Sequence, residues 1–229
     1  MKSTQRQAGF TLVEIAIVLV IIGLLLGGIL KGQEMITQAK IKNVVADFSG
    51  VSAAYYGYQD RYRAIPGDDA GAVARWAAAA LPATPATGAY GNGIVTGGYS
   101  TTTANEESRL FWAHLRSAGF VAGTGQAQPF NAVTGLLGVQ SGDGAVAPAA
   151  TLLNVAGGNG FVGLIICSAG LPDKIAIAVD TQMDDGVSST GTVRAKIQAA
   201  PNPALAAAAV SDLAYAETGT NIYTVCRSM

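Results

Sequence analysis

Hydrophobic residues follow two different patterns in the first quarter of this 229-residue chain. From Phe10 to Leu30 nearly every position is apolar. From Ile41 onward the apolar residues recur every three or four positions, at Ile41, Val44, Phe48, Val51, Tyr55, Tyr58 and Tyr62, while Lys40, Lys42, Asn43, Asp47 and Gln59 occupy other faces. The first pattern predicts a helix that is apolar all round, and the second a helix with one apolar stripe laid on a domain. No proline separates them, so they read as one helix from Phe10 to about Tyr62, ~80 Å long at ~1.5 Å per residue. It should stop near Arg63-Ala-Ile-Pro-Gly-Asp-Asp69, because the residue before Pro66 is pushed out of helical space and Pro-Gly favours a turn.

Beyond the turn, an Ala-, Gly-, Pro- and Thr-rich stretch to about Thr102, containing Trp76 and Tyr90, reads as a short helix and loops. A second helix fits Asn105 to Ala118. Thr103 and Glu106 have capping-box spacing, Leu110, Phe111 and Leu115 form an apolar face, and Gly119 can end it. Four β-like segments follow at Phe161–Cys167, Lys174–Asp180, Val193–Ile197 and Ile222–Cys226, with Ile175, Ile177 and Val179 alternating cleanly. The expected fold is α+β: a long N-terminal α-helix packed on a C-terminal antiparallel β-sheet head. The Ala-rich stretch Ala199–Val210, interrupted by Pro201 and Pro203, reads as a loop or short helix at the sheet edge.

The run from Phe10 to Leu30 is 21 residues long, enough to cross the ~30 Å hydrocarbon layer, and Lys2 and Arg6 before it favour a cytoplasmic N-terminus with the head outside. An ordinary secretory signal would be shorter and would end on a small-x-small cleavage site, which Leu24-Leu-Leu-Gly-Gly-Ile-Leu-Lys-Gly32 lacks. A simple membrane anchor explains the length and the positive flank but leaves Glu14 without a role. An ionisable residue five positions into such a run needs one.

Ala8-Gly9-Phe10-Thr11-Leu12-Val13-Glu14 resembles the class III leader-peptide junction of type IV prepilins and type II secretion pseudopilins, with Gly before Phe and Glu four residues later. The resemblance implies cleavage between Gly9 and Phe10 by a prepilin peptidase, N-methylation of Phe10, retention of the apolar helix, and an assembly role for Phe10 and Glu14. It divides the chain into a leader (1–9), a transmembrane and assembly helix (10–30), an amphipathic stem (31–62) and a globular head (63–229). The implied partners are identical or related pilin subunits, the peptidase/methyltransferase, an inner-membrane assembly platform and, before assembly, membrane lipid. The precursor would lie in the inner membrane, and the assembled subunit in an extracellular pilus or periplasmic pseudopilus. Tyr62-x-Ala-Ile-Pro-Gly-Asp also resembles a motif after the stem helix in a subset of pilin-like proteins. Many members carry a proline in the lower half of the helix; here the first proline is Pro66.

A formal charge of −1, with 13% charged residues, gives no basic surface for nucleic acid. The two cysteines, Cys167 and Cys226, sit in β-like runs of an exported head, where a disulfide would close a loop of roughly 60 residues and contribute about 4 kcal/mol in the chain-entropy model; two buried thiols are the alternative. His114 is the only histidine and is assigned a structural or exposed role. Gly158-Asn-Gly-Phe-Val-Gly163 matches G-x-G-x-x-G, but a β-like run follows where a dinucleotide site needs a helix, so it reads as a turn. Asp180, Asp184 and Asp185 place three carboxylates in a short turn, suited either to turn and capping roles or to calcium, which some pseudopilins bind in a C-terminal loop. No other cofactor is expected. The function expected is that of a structural filament subunit without enzymatic activity; the rival is a membrane-tethered periplasmic binding module or enzyme with no filament role.

Overall fold

The computed structural model describes residues 11–76, 85, 88–142, 160–198, 200–202, 205 and 214–229. The expected leader, Gly158 and Asn159 of the G-x-G-x-x-G match, and most of Ala199–Val210 lie outside them. The described elements are α1 (Leu12–Tyr62), α2 (Ala72–Trp76), α3 (Glu107–Ser117), β1 (Leu137–Ser141), β2 (Leu164–Pro172), α4 (Asp173–Met183), β3 (Val193–Ile197) and β4 (Ile222–Ser228). The chain divides into two compact units, Met1–Ala39 and Lys40–Met229.

In the second unit, every apolar position of the stem stripe from Ile41 to Tyr58 is buried. These side chains pack with Phe111, Trp112 and Leu115 of α3, Val139 of β1, Ile166 of β2, Val193 and Ala195 of β3, and Tyr223 and Val225 of β4. The sheet thus lays one face against the helices, an α+β pilin-like arrangement. At the end of α1, Arg63 adopts a left-handed conformation (φ 55°) and its N–H still reaches the Gln59 carbonyl at 2.8 Å. The Pro66-Gly67 turn then carries the chain away, as the sequence requires.

The sheet is antiparallel throughout, in the order β1-β2-β4-β3. Leu164 and Ile166 face the helices, while Ile165 and Cys167 pack with Tyr99, Phe161 and Cys226 on the other face. That is why β2 reads as an uninterrupted apolar run: both of its faces are covered. Gly163, the last residue of the G-x-G-x-x-G match, has φ +82° and leads directly into β2, consistent with a turn.

Two expectations are corrected, and one strand is added. The segment Lys174–Asp180 is part of α4, not a strand: Ile175, Ala176, Val179 and Asp180 are buried together on a helical face, whereas Ile177, which the alternation would place with them, is only half-buried. Alternation over so short an apolar run fits either element, and Ala176 and Ala178 between the branched residues favour helix. Conversely, β1 is a strand that the pattern did not signal, because Gly138 weakens its strand character. That glycine lies against the backbone of Tyr99, leaving no room for a side chain. Finally, Thr103 and Glu106 form no capping box. Asn105 is left-handed (φ 66°), α3 begins at Glu107, and Glu106 makes no side-chain cap. The Ser108 N–H is instead taken by the Thr96 carbonyl at 3.0 Å.

Candidate assembly segment and head sites

Apolar side chains of α1 from Leu12 to Leu30 are exposed on every face, with Leu12 at 86% and Leu24 at 73% of full accessibility. Among the described residues, α1 is the one helix long and apolar enough to cross a membrane. Its start is built by Thr11 and Glu14. Thr11 donates its backbone N–H and its hydroxyl to Glu14 Oε2, both at 2.8 Å, while the Glu14 N–H reaches back to Thr11 Oγ1 at 3.3 Å. This is a capping box: it satisfies backbone donors at the helix start and gives the lone carboxylate of the run two local donors. The signal for it in the sequence is the three-residue spacing from Thr11 to Glu14. Gly9 and Phe10 lie outside the described residues.

In the head, Cys167 and Cys226 are directly opposite in the β2–β4 register and form a disulfide. Both are fully buried.

Asp180, Asp184 and Asp185 do come together, with a carboxylate oxygen of each within 4.8 Å of the others. Their oxygens, however, serve the loop's own donors. Asp180 accepts from the Tyr215 hydroxyl at 2.8 Å and the Gly186 N–H at 3.3 Å. Asp184 accepts from the N–H groups of Thr192 and Val193, and Asp185 from the Val187 N–H and the Thr190 hydroxyl. Burial raises the Asp180 carboxyl to about 6, and the neighbouring Asp185 and Asp184 charges add to the rise. A cation there would compete with donors already in place, so the arrangement fits a loop staple better than a preformed ligand set.

A polar cluster that the sequence did not announce sits where α1 ends. Asp69, almost fully buried, accepts from the Tyr58 hydroxyl at 2.5 Å and the Gly71 N–H at 2.8 Å and pairs with Arg75. The Arg75 guanidinium lies over the rings of Tyr62 (4.6 Å) and Trp76 (5.0 Å). Asp68 accepts from the N–H groups of Gly91, Asn92 and Gly93. His114 is fully buried beside this cluster, and burial lowers its pKa to about 4. Asp-Asp after Pro-Gly was the available signal, but nothing in the sequence pairs it with Tyr58, Arg75 or a loop 23 residues away.

The fold defines a pilin-like α+β protein with an apolar, exposed N-terminal helix. Residues 4–30 match the family model for the prokaryotic N-terminal methylation motif, the hallmark of type IV pilins and pseudopilins. The likeness to type IV pilins and pseudopilins thus rests on this N-terminal motif, which spans residues 4–30 of the 229. No curated protein matches the chain.

Proposed function

We propose that this chain is a structural subunit of a type IV pilus or a pilus-like filament. Prepilin peptidase cleaves between Gly9 and Phe10 and Phe10 is methylated, so that residues 10–30 anchor the subunit in the inner membrane and then enter the filament core, with residues 31–62 as stem and 63–229 as head. The observation that carries this reading is the apolar surface of Leu12–Leu30, exposed on all faces and interrupted by one carboxylate, Glu14. A membrane covers such a surface while the subunit is stored. A bundle of identical helices covers it after assembly, and that use gives the carboxylate, which also caps the helix start, a partner in a new amine. Cleavage after Gly9 creates that amine on Phe10. If subunits stack with an axial offset, the Phe10 amine of one can meet Glu14 of its neighbour in surroundings where a charge-assisted contact both attracts and sets register.

The test is the surface-sheared fraction of cells that express the chain. Filaments containing a subunit that begins at methylated Phe10 support the proposal. A chain found only as a membrane-bound monomer, cleaved or not, supports the tethered-module alternative.

A further inference from the structure

The contact between Gly67 and His114 assigns the protons of the only imidazole in the chain. The Gly67 N–H donates to His114 Nδ1 at 2.9 Å, so Nδ1 holds a lone pair and the neutral ring carries its proton on Nε2. Nε2 is buried and has no partner among the described residues. Rings enclose the imidazole from three elements: Tyr58 of α1, stacked at 6.2 Å, Trp76 of α2 at 6.4 Å, and Tyr90 of the 88–97 loop at 6.4 Å. The charges that act on it oppose each other. Asp69 of the turn favours the imidazolium and Arg75 of α2 disfavours it, but burial is the largest influence and keeps the ring neutral. Asp69 is itself committed to Tyr58, Gly71 and Arg75. Glu107, two turns earlier on α3, is buried and its carboxyl is raised, mainly by that burial.

The turn that His114 holds ties several elements together. Gly67 has φ +92° and lies so close to the Glu107 carbonyl that a side chain there would collide with α3. Asp68, next in the chain, fastens residues 91–93, and Asp69 fastens Tyr58 of α1 and Arg75 of α2. We propose that His114 is an acid-labile latch: as the neutral Nε2–H tautomer it clamps the Gly67 turn onto α3, and protonation of Nδ1 sets one donor against another and releases the turn. The direction in pH follows from the two states. A released imidazole titrates near its ordinary 6.5 and the latched one near 4, so the latch is at full strength above about 6.5 and weakens as the pH falls toward about 4.

Because His114 is the only histidine, the full isotope-labelled chain in detergent micelles gives a single imidazole signal. The expected result is the Nε2–H tautomer at pH 7.5, a titration midpoint below about 5, and a protection factor for the Gly67 amide that falls about tenfold or more between pH 7 and 4.5 while that of Ile166 in β2 holds; tenfold is the effect of one pKa unit. His114→Gln, which can accept the same N–H but cannot titrate, should keep Gly67 equally protected at both pH values. The Nδ1–H tautomer at neutral pH, a midpoint at 6 or above, or an unchanged Gly67 protection factor in the wild type would overturn the proposal. The wild-type measurements decide the matter even if the variant does not fold.

Discussion

Thr11 and Glu14 bind each other through three hydrogen bonds at the first turn of α1, two of them donated to the same Glu14 oxygen. The carboxylate is therefore locally satisfied before any partner arrives, which reduces the several-kcal/mol cost of carrying it into an apolar layer. Glu14→Ala and Glu14→Gln are expected to leave cleavage after Gly9 and the melting temperature of the head unchanged, and to abolish or sharply reduce filaments. Thr11→Val removes the cap hydroxyl at a cost of about 1 kcal/mol to the helix start, so it should lower filament yield without abolishing it. Wild-type yield in both Glu14 variants would remove this residue from the assembly contact.

Processing has its own readout. The mature chain should begin at methylated Phe10, and losing Lys2 and Arg6 leaves 12 basic against 15 acidic residues, a formal charge of −3. Mass spectrometry of the purified protein checks this. An intact Met1, or a start beyond Leu30, rejects it.

The Cys167–Cys226 disulfide spans a sequence separation of 59 residues and joins the two central strands. Replacing both cysteines with serine is expected to cost about 4 kcal/mol, the chain-entropy value for a loop of this length, and to lower the melting temperature of the head by roughly 8–16 °C. Reductant should have a similar effect on the wild type. Peptide mapping that recovered two free thiols from the exported protein would refute the crosslink.

Tyr58 is fully buried in the stem stripe, yet its hydroxyl is committed to Asp69 at 2.5 Å. Tyr58→Phe keeps the ring packing and deletes one donor to a buried carboxylate, so a loss of about 1–3 kcal/mol is expected in chemical denaturation. Phe48→Ala, in the same stripe without a polar partner, should cost about 3–5 kcal/mol through transfer and cavity terms. A Tyr58→Phe variant as stable as the wild type would show that Arg75 and Gly71 suffice for Asp69.

These residues also show what a sequence can disclose. The stem stripe was legible because a helix repeats its buried face every three to four residues over many turns, and chance rarely sustains that. The end of α1 was legible because proline acts on its neighbour directly. The Lys174–Asp180 segment misled because the period-2 and helical patterns coincide over six residues; its helix is decided by the burial of Ala176 beside Ile175, a tertiary fact. β1 was hidden because Gly138 serves the Tyr99 backbone rather than the strand. The Thr11–Glu14 box could be read from local spacing, whereas the contacts of Asp69 with Tyr58, Asp68 with Gly93 and His114 with Gly67 join positions 11 to 47 residues apart, which no local pattern connects.

Asp180 tests the acidic loop. Its carboxyl is raised from 3.8 to about 6, so the folded state binds the proton more tightly than the unfolded chain, and stability falls as the pH rises from about 4 through about 6. His114 acts in the opposite direction over much of the same range, so the difference between wild type and Asp180→Asn isolates the carboxylate. Asp180→Asn should gain on the wild type between pH 4.5 and 7 when stability is measured by urea denaturation. Calcium is expected to leave the melting temperature unchanged, because all three carboxylates already serve loop donors. A rise on adding calcium, abolished by Asp185→Asn, would restore a cation site at Asp180, Asp184 and Asp185.

Strand β4 occupies an interior position in the sheet, between β2 and β3, and among the described residues β3 pairs with no other strand. If the head is exported in sequence order, it can therefore pair β1 with β2 but must hold β3 idle until Ile222–Ser228 has crossed. On that order the Cys167 thiol waits for Cys226 over the same interval. Truncation before Ile222 should remove two of the three strand pairings rather than trim an edge, leaving a chain that is rapidly proteolysed. Strand β4 acts in effect as a proofreading element, since only a chain that includes Ile222–Ser228 presents a closed sheet.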